Sequence, residues 1–215
     1  MMQYKAVIFD MDGVLVDSEI FWKMAEKEVF SALGVKVTEA LALKTQKMTT
    51  SQVTKFWYDY HPWQDVSFEE VENRVISHVI ELIESECCQI SGIEDVMGKL
   101  KLEGYKIGIA TNSPRRIIPT VLQKLNVSEL VDVVSAAECV TEGKPNPAIY
   151  LKTAAELDLM PFQCLAIEDS YSGMKAAKGA GMAVVAFTNG NTELTFDIAD
   201  YHLTDFNCFN MSSFL

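Results

Sequence analysis

The sequence predicts an α/β protein whose doubly wound parallel sheet is interrupted, just after the first strand, by a helical insert. Three observations support this. Residues 5–9 form a short apolar run that ends at Asp10, as expected of a buried strand. Residues from about 18 to 86 carry mostly helical patterns. From about residue 90, apolar runs of strand length alternate with helical stretches, which is typical of parallel strands joined by crossover helices.

The insert begins with a predicted helix over about 18–33, and its clearest helix is predicted over 67–86. In that second helix Ser67 and Glu70 have the spacing of a capping box. The apolar residues that follow recur at helical spacing, and they are Phe68, Val71, Val75, Val79 and Leu82. His78 lies in the same helix, and we interpret it as a packing or surface residue and not as a ligand.

The second half of the chain supplies the other strands of the sheet. Strands are predicted at 105–110, 131–136, 164–167 and 183–187. The crossover helices are predicted at about 114–125, 147–158 and 170–180. We therefore predict a Rossmann-like sheet domain formed by residues 1–15 and 89–215, with residues 16–88 as the helical insert.

The composition excludes some classes of partner. The formal net charge is −12, which disfavours nonspecific binding to nucleic acid or anionic membrane, because both require basic surface. No run of about 18 apolar residues is present, and the N-terminus lacks the apolar region of a secretory signal. The five cysteines are odd in number and scattered, which favours buried free thiols in a reducing compartment. We expect a cytoplasmic monomer.

Polar and acidic residues follow four of the predicted strands. In open α/β sheets, ligands bind at the carboxyl ends of the strands, so these residues are the candidates for a site. The groups are Asp10-Met11-Asp12-Gly13, Thr111-Asn112-Ser113, Gly143-Lys144-Pro145 and Glu168-Asp169-Ser170.

The residues of these groups suit the transfer of a phosphoryl group. Asp10, Asp169 and the nearby Glu168 offer hard oxygen ligands for Mg²⁺. The metal and Lys144 would neutralise the phosphoryl charge, which an acidic protein otherwise handles poorly. The Thr111 hydroxyl and the backbone N–H of Asn112 or Ser113 are candidates for holding the phosphoryl oxygens.

Two aspartates at the end of the first strand suit the chemical step itself. A carboxylate can attack phosphorus and form an aspartyl-phosphate, a role open to Asp10. A second acid two residues later, Asp12, can protonate the leaving oxygen and then activate water. Any one of these motifs alone would be a weak signal, since Asp-x-Asp at a strand end is often only a turn or a helix cap.

The four motifs, in this order, resemble those of the haloacid dehalogenase superfamily, which consists mostly of phosphatases. The match runs over the whole chain, with Asp10 to Val14, Thr111, Lys144 and Glu168-Asp169 at the motif positions. The resemblance implies that Asp10 is the nucleophile and Asp12 the acid/base. It also implies Mg²⁺ on the Asp10 side chain, the Asp12 backbone carbonyl and Asp169, and a helical insert that acts as a small cap over the site.

Within the superfamily, the chain resembles the β-phosphoglucomutase-like subgroup, and most of all the bacterial phosphatases of hexitol phosphates and 2-deoxyglucose 6-phosphate. The segments that carry this likeness are 17–19, Trp22 and 56–63. The aromatic residues of 56–63 also suit plain packing of the cap helices. We take Trp22 and Lys47 as candidate substrate contacts of the cap.

Two positions depart from the related sugar-phosphate enzymes. Trp22 stands where β-phosphoglucomutases carry a histidine, which favours hydrolysis over a second phosphoryl transfer. Lys47 and Thr49 stand where a glycine and an arginine are expected, which leaves the sugar open.

The sequence predicts a magnesium-dependent phosphatase of a small phosphate monoester, a sugar or hexitol phosphate. Two alternatives remain, namely a β-phosphoglucomutase-like isomerase and a binding protein on an inactive scaffold. No catalytic position is missing, which argues against the second. A dehalogenase is disfavoured, because those enzymes need neither Asp12 nor a metal.

Overall fold

The computed structural model describes residues 4–45 and 48–214. Six parallel strands form one sheet in the order β3-β2-β1-β4-β5-β6. Strand β1 lies in the middle, flanked by β2 and β4, so the residues that follow it lie at the centre of the carboxyl edge of the sheet. The strands are β1 Ala6–Phe9, β2 Lys106–Ala110, β3 Val133–Ser135, β4 Cys164–Glu168, β5 Ala183–Phe187 and β6 Tyr201–Leu203.

The predicted α/β fold class is confirmed, and five of the strands were predicted. Strand β3 is three residues long instead of the six predicted, because the chain bends at Asp132 and the strand ends before Ala136. Strand β6 was not predicted, since its three residues (Tyr-His-Leu) are too few to show a pattern.

Helices cover both faces of the sheet and build the insert. The insert holds α1 Glu19–Ala32, α2 Glu39–Thr45, α3 Thr50–Tyr60 and α4 Phe68–Ser85. The sheet domain holds α5 Ile93–Leu102, α6 Ile118–Lys124, α7 Ala148–Glu156 and α8 Tyr171–Gly179. Helix α5 was not predicted, and a short 3₁₀ turn, Arg115–Ile117, leads into α6.

Alternation along β1 divides the core into two parts. Val7 and Phe9 face a large apolar cluster that continues into the insert. Ala6 and Ile8 face a smaller cluster formed with α7 and α8. The first strand therefore needs apolar side chains on both faces, as its uninterrupted run of such residues predicts.

The two connections between the sheet and the insert run side by side. Asp17 N donates to Cys88 O at 2.8 Å, and Ile90 N donates to Leu15 O at 3.1 Å. These contacts lie next to the proposed boundaries at 16 and 88. The division into two domains stays a prediction.

The aromatic segment of the insert packs its own core. Trp57 is fully buried and Trp63 nearly so, and both rings lie about 6 Å from the ring of Phe30, with centroid distances of 5.9 and 6.0 Å. None of residues 56–63 lines the cleft described below. The packing interpretation of this segment therefore accounts for its aromatic residues.

Two smaller expectations are corrected. Ser67 Oγ accepts a hydrogen bond from Glu70 N, but the Glu70 carboxylate pairs with Arg74 and does not close the capping box. The cysteines are free, as expected, but they are not all buried: Cys88 and Cys164 are, whereas Cys87 and Cys208 are exposed. None of the described helices is both long and apolar enough to cross a membrane.

Candidate active site

The site is built where β1 ends, and its backbone depends on one glycine. Gly13 has a φ of 82°, a conformation that side-chain-bearing residues rarely adopt. A Cβ at this position would also lie 2.0 Å from Asp169 Oδ2. Glycine therefore allows the turn after Asp12 to pass directly against the acidic end of β4.

Asp10 is buried and paired with Lys144. Its Oδ1 accepts a hydrogen bond from Lys144 Nζ at 2.7 Å, and the same ammonium donates to Glu168 Oε1 at 2.5 Å. The exposed fractions are 8% for Asp10, 7% for Lys144 and zero for Glu168. A lysine held between two buried carboxylates is fixed in position and charge, because charge-assisted hydrogen bonds are the strong ones.

A buried tyrosine holds Glu168, the second carboxylate that binds Lys144. Tyr150 OH donates to Glu168 Oε1 at 2.6 Å, and Ser170 Oγ donates to Oε2 of the same carboxylate at 3.2 Å. Tyr150 could not be recognised from the sequence, because it lies among the apolar positions of α7. Glu168 itself does not line the cleft. Its carboxylate thus accepts hydrogen bonds from three donors, Lys144, Tyr150 and Ser170, which hold it in place.

The loop that carries Lys144 is held by Asn112. Lys144 N donates to Asn112 Oδ1 at 2.9 Å, and Asn112 Nδ2 lies 3.4 Å from Lys144 O. A Cβ at Gly143 would approach Asn112 Oδ1 to 2.6 Å, so this position needs glycine. The Asn112 side chain therefore positions the lysine loop, a role the sequence did not predict.

Asp12 accepts hydrogen bonds from both parts of the molecule. From the insert, Ser18 Oγ and Trp22 Nε1 donate to Oδ1, the latter at 3.0 Å. From the sheet domain, Ser113 Oγ donates to Oδ2 at 2.6 Å, and Thr111 Oγ1 lies 3.5 Å from it. Ser18 was missed because a serine directly before a helix is usually only its N-cap.

Two predicted roles change in this network. The Ser113 N–H donates to Thr111 Oγ1 at 3.0 Å, so it is not free to hold a phosphoryl oxygen as predicted. Trp22, predicted to touch substrate, donates its indole N–H to Asp12. The ring lines the cleft as well, so contact with substrate remains open to it.

Three carboxylates form a cluster at the base of the cleft. Asp10, Glu168 and Asp169 each contribute one carboxylate oxygen to the cluster, and these three oxygens lie within 4.8 Å of one another. Burial, together with the charge of Glu168, raises the pKa of Asp10 well above its usual range and that of Asp169 to about 7. Burial alone would lower the pKa of Lys144, but Asp10 and Glu168 more than offset it and raise the pKa.

The cluster therefore carries more negative charge than its one lysine neutralises. Burial is the largest cause of the raised carboxyl pKa values, and repulsion by Glu168 adds to it. A divalent cation would offset the negative charge, and an all-oxygen donor set suits a hard ion such as Mg²⁺.

The site opens into a cleft of about 410 Å³ between the sheet and the insert. Among the predicted site residues, those that line it are Asp10, Asp12, Trp22, Thr111, Asn112, Ser113, Lys144 and Asp169. Lys47 lies outside the described residues. The cleft has the size of a site for a small molecule.

The sequence model of the family described as haloacid dehalogenase-like hydrolase matches residues 7–187. The chain belongs to this family. It is therefore an enzyme of the hydrolase class, and the resemblance drawn from the four motifs is confirmed.

Named relatives of this haloacid dehalogenase-like hydrolase include phosphatases and a mutase. It is 36% identical to hexitol phosphatase B of Escherichia coli over 205 residues, which are 94% of this chain and 92% of the relative. It is 29% identical to the β-phosphoglucomutase of Bacillus subtilis over 208 residues, 94% and 91% of the two chains.

A solved structure shares the whole fold. The crystal structure of CbbY from Rhodobacter sphaeroides in complex with phosphate superimposes with a TM-score of 0.84 at 26% identity, covering 94% of this chain and 95% of the other. The likeness includes the insert, since nearly all of both chains is aligned.

Proposed function

We propose that this enzyme is a magnesium-dependent phosphatase that releases phosphate from a small sugar or hexitol phosphate through an aspartyl-phosphate on Asp10. The observation that carries the proposal is the buried Lys144–Asp10 pair beside Asp169, at the floor of a cleft. A carboxylate nucleophile, a fixed cation and a candidate metal site thus converge on one point.

Asp10 is the proposed nucleophile. Lys144 binds its Oδ1, which leaves Oδ2 to attack phosphorus. As the new bond from Oδ2 to phosphorus forms, the bond from phosphorus to the substrate oxygen breaks. Water then attacks phosphorus, and the carboxylate of Asp10 leaves with the electron pair of its bond. Such two-step transfer divides one difficult displacement into two easier ones.

Asp12 is the proposed acid and base. In its protonated form it gives a proton to the departing substrate oxygen, and its carboxylate then takes a proton from the attacking water. The donors from Ser18, Trp22 and Ser113 fix where this carboxylate lies. That placement is most of what phosphoryl transfer asks of a protein.

Asp10 and Asp169, with the main-chain carbonyl of Asp12, would hold Mg²⁺. Glu168 belongs to the same cluster, but three donors already occupy its carboxylate, so we assign it the role of orienting Lys144. When bound, the ion supplies positive charge to the phosphoryl oxygens and to the floor of the site.

Three groups of the chain would hold the phosphoryl oxygens. The Lys144 ammonium lies between Asp10 and Glu168, and the Thr111 hydroxyl lines the cleft. The Asn112 backbone N–H meets no acceptor among residues 4–45 and 48–214, so it is available to an oxygen of the substrate. Such fixed donors stabilise the charge that develops in the transition state.

The substrate class is supported by the relatives and by the cleft. Two relatives are named hexitol phosphatase B and, at 30% identity, phosphorylated carbohydrates phosphatase of Thermotoga maritima. Helices of the insert close one side of the cleft, which suits a small leaving group and not a macromolecule. We further propose that the enzyme is a monomer and that it is cytoplasmic, a location that its five free cysteines favour.

A screen of phosphorylated metabolites with phosphate release as the readout tests the proposal. Hexitol and hexose monophosphates should release phosphate with Mg²⁺, and Asp10→Asn should abolish release. A mutase would instead interconvert sugar phosphates with little free phosphate. A flat screen across the panel would contradict the proposed function.

A further inference from the structure

One face of the N-terminal half of α1 lines the cleft. The residues that face it are Glu19, Trp22, Lys23 and Glu26, at the spacing of a helix with 3.6 residues per turn. Trp22 marks the end near the chemistry, since it donates to Asp12. Glu26 lies one turn farther on, roughly 6 Å along the helix axis, where the far end of a leaving group would reach.

The insert residues after α1 that line the cleft are mostly apolar. They are Val37, Ala42, Thr45, Met48, Thr50 and Val53. Thr45 and Thr50 offer hydroxyl groups, and the remaining four offer only carbon and sulfur contacts. Lys23, the cation on the same face, lies with its Nζ 2.6 Å from Glu19 Oε1.

The Glu26 carboxylate has no hydrogen-bond or ion-pair partner among residues 4–45 and 48–214. Its side chain is partly buried, and burial raises its pKa to about 7. A desolvated carboxylate without a partner destabilises a fold. In a binding cleft, the missing partners can be donors of the ligand.

We propose that Glu26 determines specificity, by accepting hydrogen bonds from hydroxyl groups of the leaving polyol and by excluding leaving groups that carry a second anion. This inference rests on the proposed function, and it narrows the substrate to neutral polyhydroxy monophosphates. Sugar bisphosphates and phosphorylated carboxylic acids are the classes it excludes.

The chemistry of the carboxylate supports both halves of the proposal. An ionised carboxylate is an acceptor with two oxygens and no donor, so neighbouring hydroxyls can bind to it together. A second phosphate or carboxylate would instead meet a like charge in a poorly solvated wall, where repulsion is strong. The apolar residues that line the same cleft suit the C–H faces of the polyol.

The test compares two substrates that differ only in a second phosphate, a hexitol monophosphate and the corresponding hexitol bisphosphate. The ratio of their kcat/KM values is measured for the wild type and for Glu26→Gln. Work at about pH 8 keeps the carboxylate, with its pKa of about 7, ionised. Glutamine keeps the shape and an acceptor oxygen but removes the charge.

We expect Glu26→Gln to lower the ratio of kcat/KM for the monophosphate to kcat/KM for the bisphosphate by about tenfold. The substitution should weaken binding of the monophosphate and admit the bisphosphate. Glu26→Ala should lower the ratio at least as far. The matched control is Glu28→Gln, the same change two positions along the helix, at a side chain that is 70% exposed and does not line the cleft. It should leave the ratio unchanged.

Two results would contradict the inference in different ways. If the wild type releases phosphate from the hexitol phosphate but Glu26→Gln and Glu28→Gln give the same ratio, Glu26 does not set specificity. If the wild type prefers the bisphosphate, the proposed exclusion of leaving groups with a second anion is wrong. Failure of the wild type to release phosphate from any phosphate monoester would instead overturn the proposed function.

Discussion

The sheet domain and the insert treat their polar groups in opposite ways. In the sheet domain, Lys144 donates hydrogen bonds to both Asp10 and Glu168. In the insert, Glu26 faces the cleft without a partner among the described residues. Under the proposed function, this difference means that the fold holds the groups of the chemical step in place, whereas the substrate completes the wall that meets the leaving group.

The largest effect on this comparison should come from removing the proposed nucleophile, Asp10. Asp10→Asn should lower kcat on the order of 10³-fold or more, with the fold intact, because the amide neither attacks phosphorus nor supports the metal. Phosphate release and thermal unfolding measure the two effects. Asp95→Asn, at an exposed carboxylate on α5, is the control and should behave as the wild type. Activity within a few-fold of wild type in Asp10→Asn would contradict a covalent mechanism.

Removal of the proposed metal should affect every substrate alike, because the residues that would hold it, Asp10 and Asp169, belong to the sheet domain. A chelator should abolish phosphate release and Mg²⁺ should restore it. Ca²⁺ should inhibit, since it prefers more ligands at longer distances than Mg²⁺. Full activity in the chelator would show that Lys144 alone supplies the positive charge.

Trp22 lies where the two regions meet, so its substitution sharpens the comparison. Trp22→Phe keeps an aromatic ring and removes the donor to Asp12, and we expect kcat to fall by about tenfold, the effect of one hydrogen bond to a charged group. If Trp22 acts through Asp12, the loss will be equal across sugar phosphates. A changed ranking of sugars with an unchanged kcat for the preferred one would show that the ring contacts the leaving group instead.

The smallest expected effect is on stability. Asp169 ionises near pH 4 when unfolded, and its pKa in the folded protein is about 7. Between these values the folded protein binds more protons, so the metal-free enzyme loses stability as pH rises through this window. We expect its unfolding temperature to fall by a few degrees from about pH 5 to about pH 8. Asp169→Asn should reduce the fall, and Mg²⁺, which binds the ionised carboxylates, should oppose it. An equal fall in the wild type and in Asp169→Asn would contradict the assignment.

Much of the sheet domain could be predicted from sequence because its signals are local. An apolar run followed by Asp10, Asp12 and Gly13 fixes a strand and the turn after it, and the edge rule for parallel sheets brings Thr111, Lys144 and Asp169 to the same place. The supporting contacts could not be predicted. Tyr150 lies on an apolar helix face. The hydrogen bonds between the Asn112 side chain and the Lys144 backbone depend on the path of a loop.

The insert was less predictable for a physical reason. Helical periodicity shows which residues pack, as for Trp57, but does not show which side chains meet the sheet domain. Ser18 and Trp22 gain their contact with Asp12 only when the two parts are assembled. Glu26 has the appearance of any charged residue on a helix, and only its position in the cleft distinguishes it from Glu28.

The most direct test of the central claim is to trap the phosphorylated enzyme. The wild type and Asp12→Asn are mixed with acetyl phosphate and Mg²⁺, quenched in acid and digested, and the peptide carrying phosphate is found by mass spectrometry. We predict one phosphoryl group on Asp10, more of it in Asp12→Asn, because water is then not activated, and none in Asp10→Asn. Phosphate on another residue, or turnover by an enzyme that never becomes phosphorylated, would contradict the account.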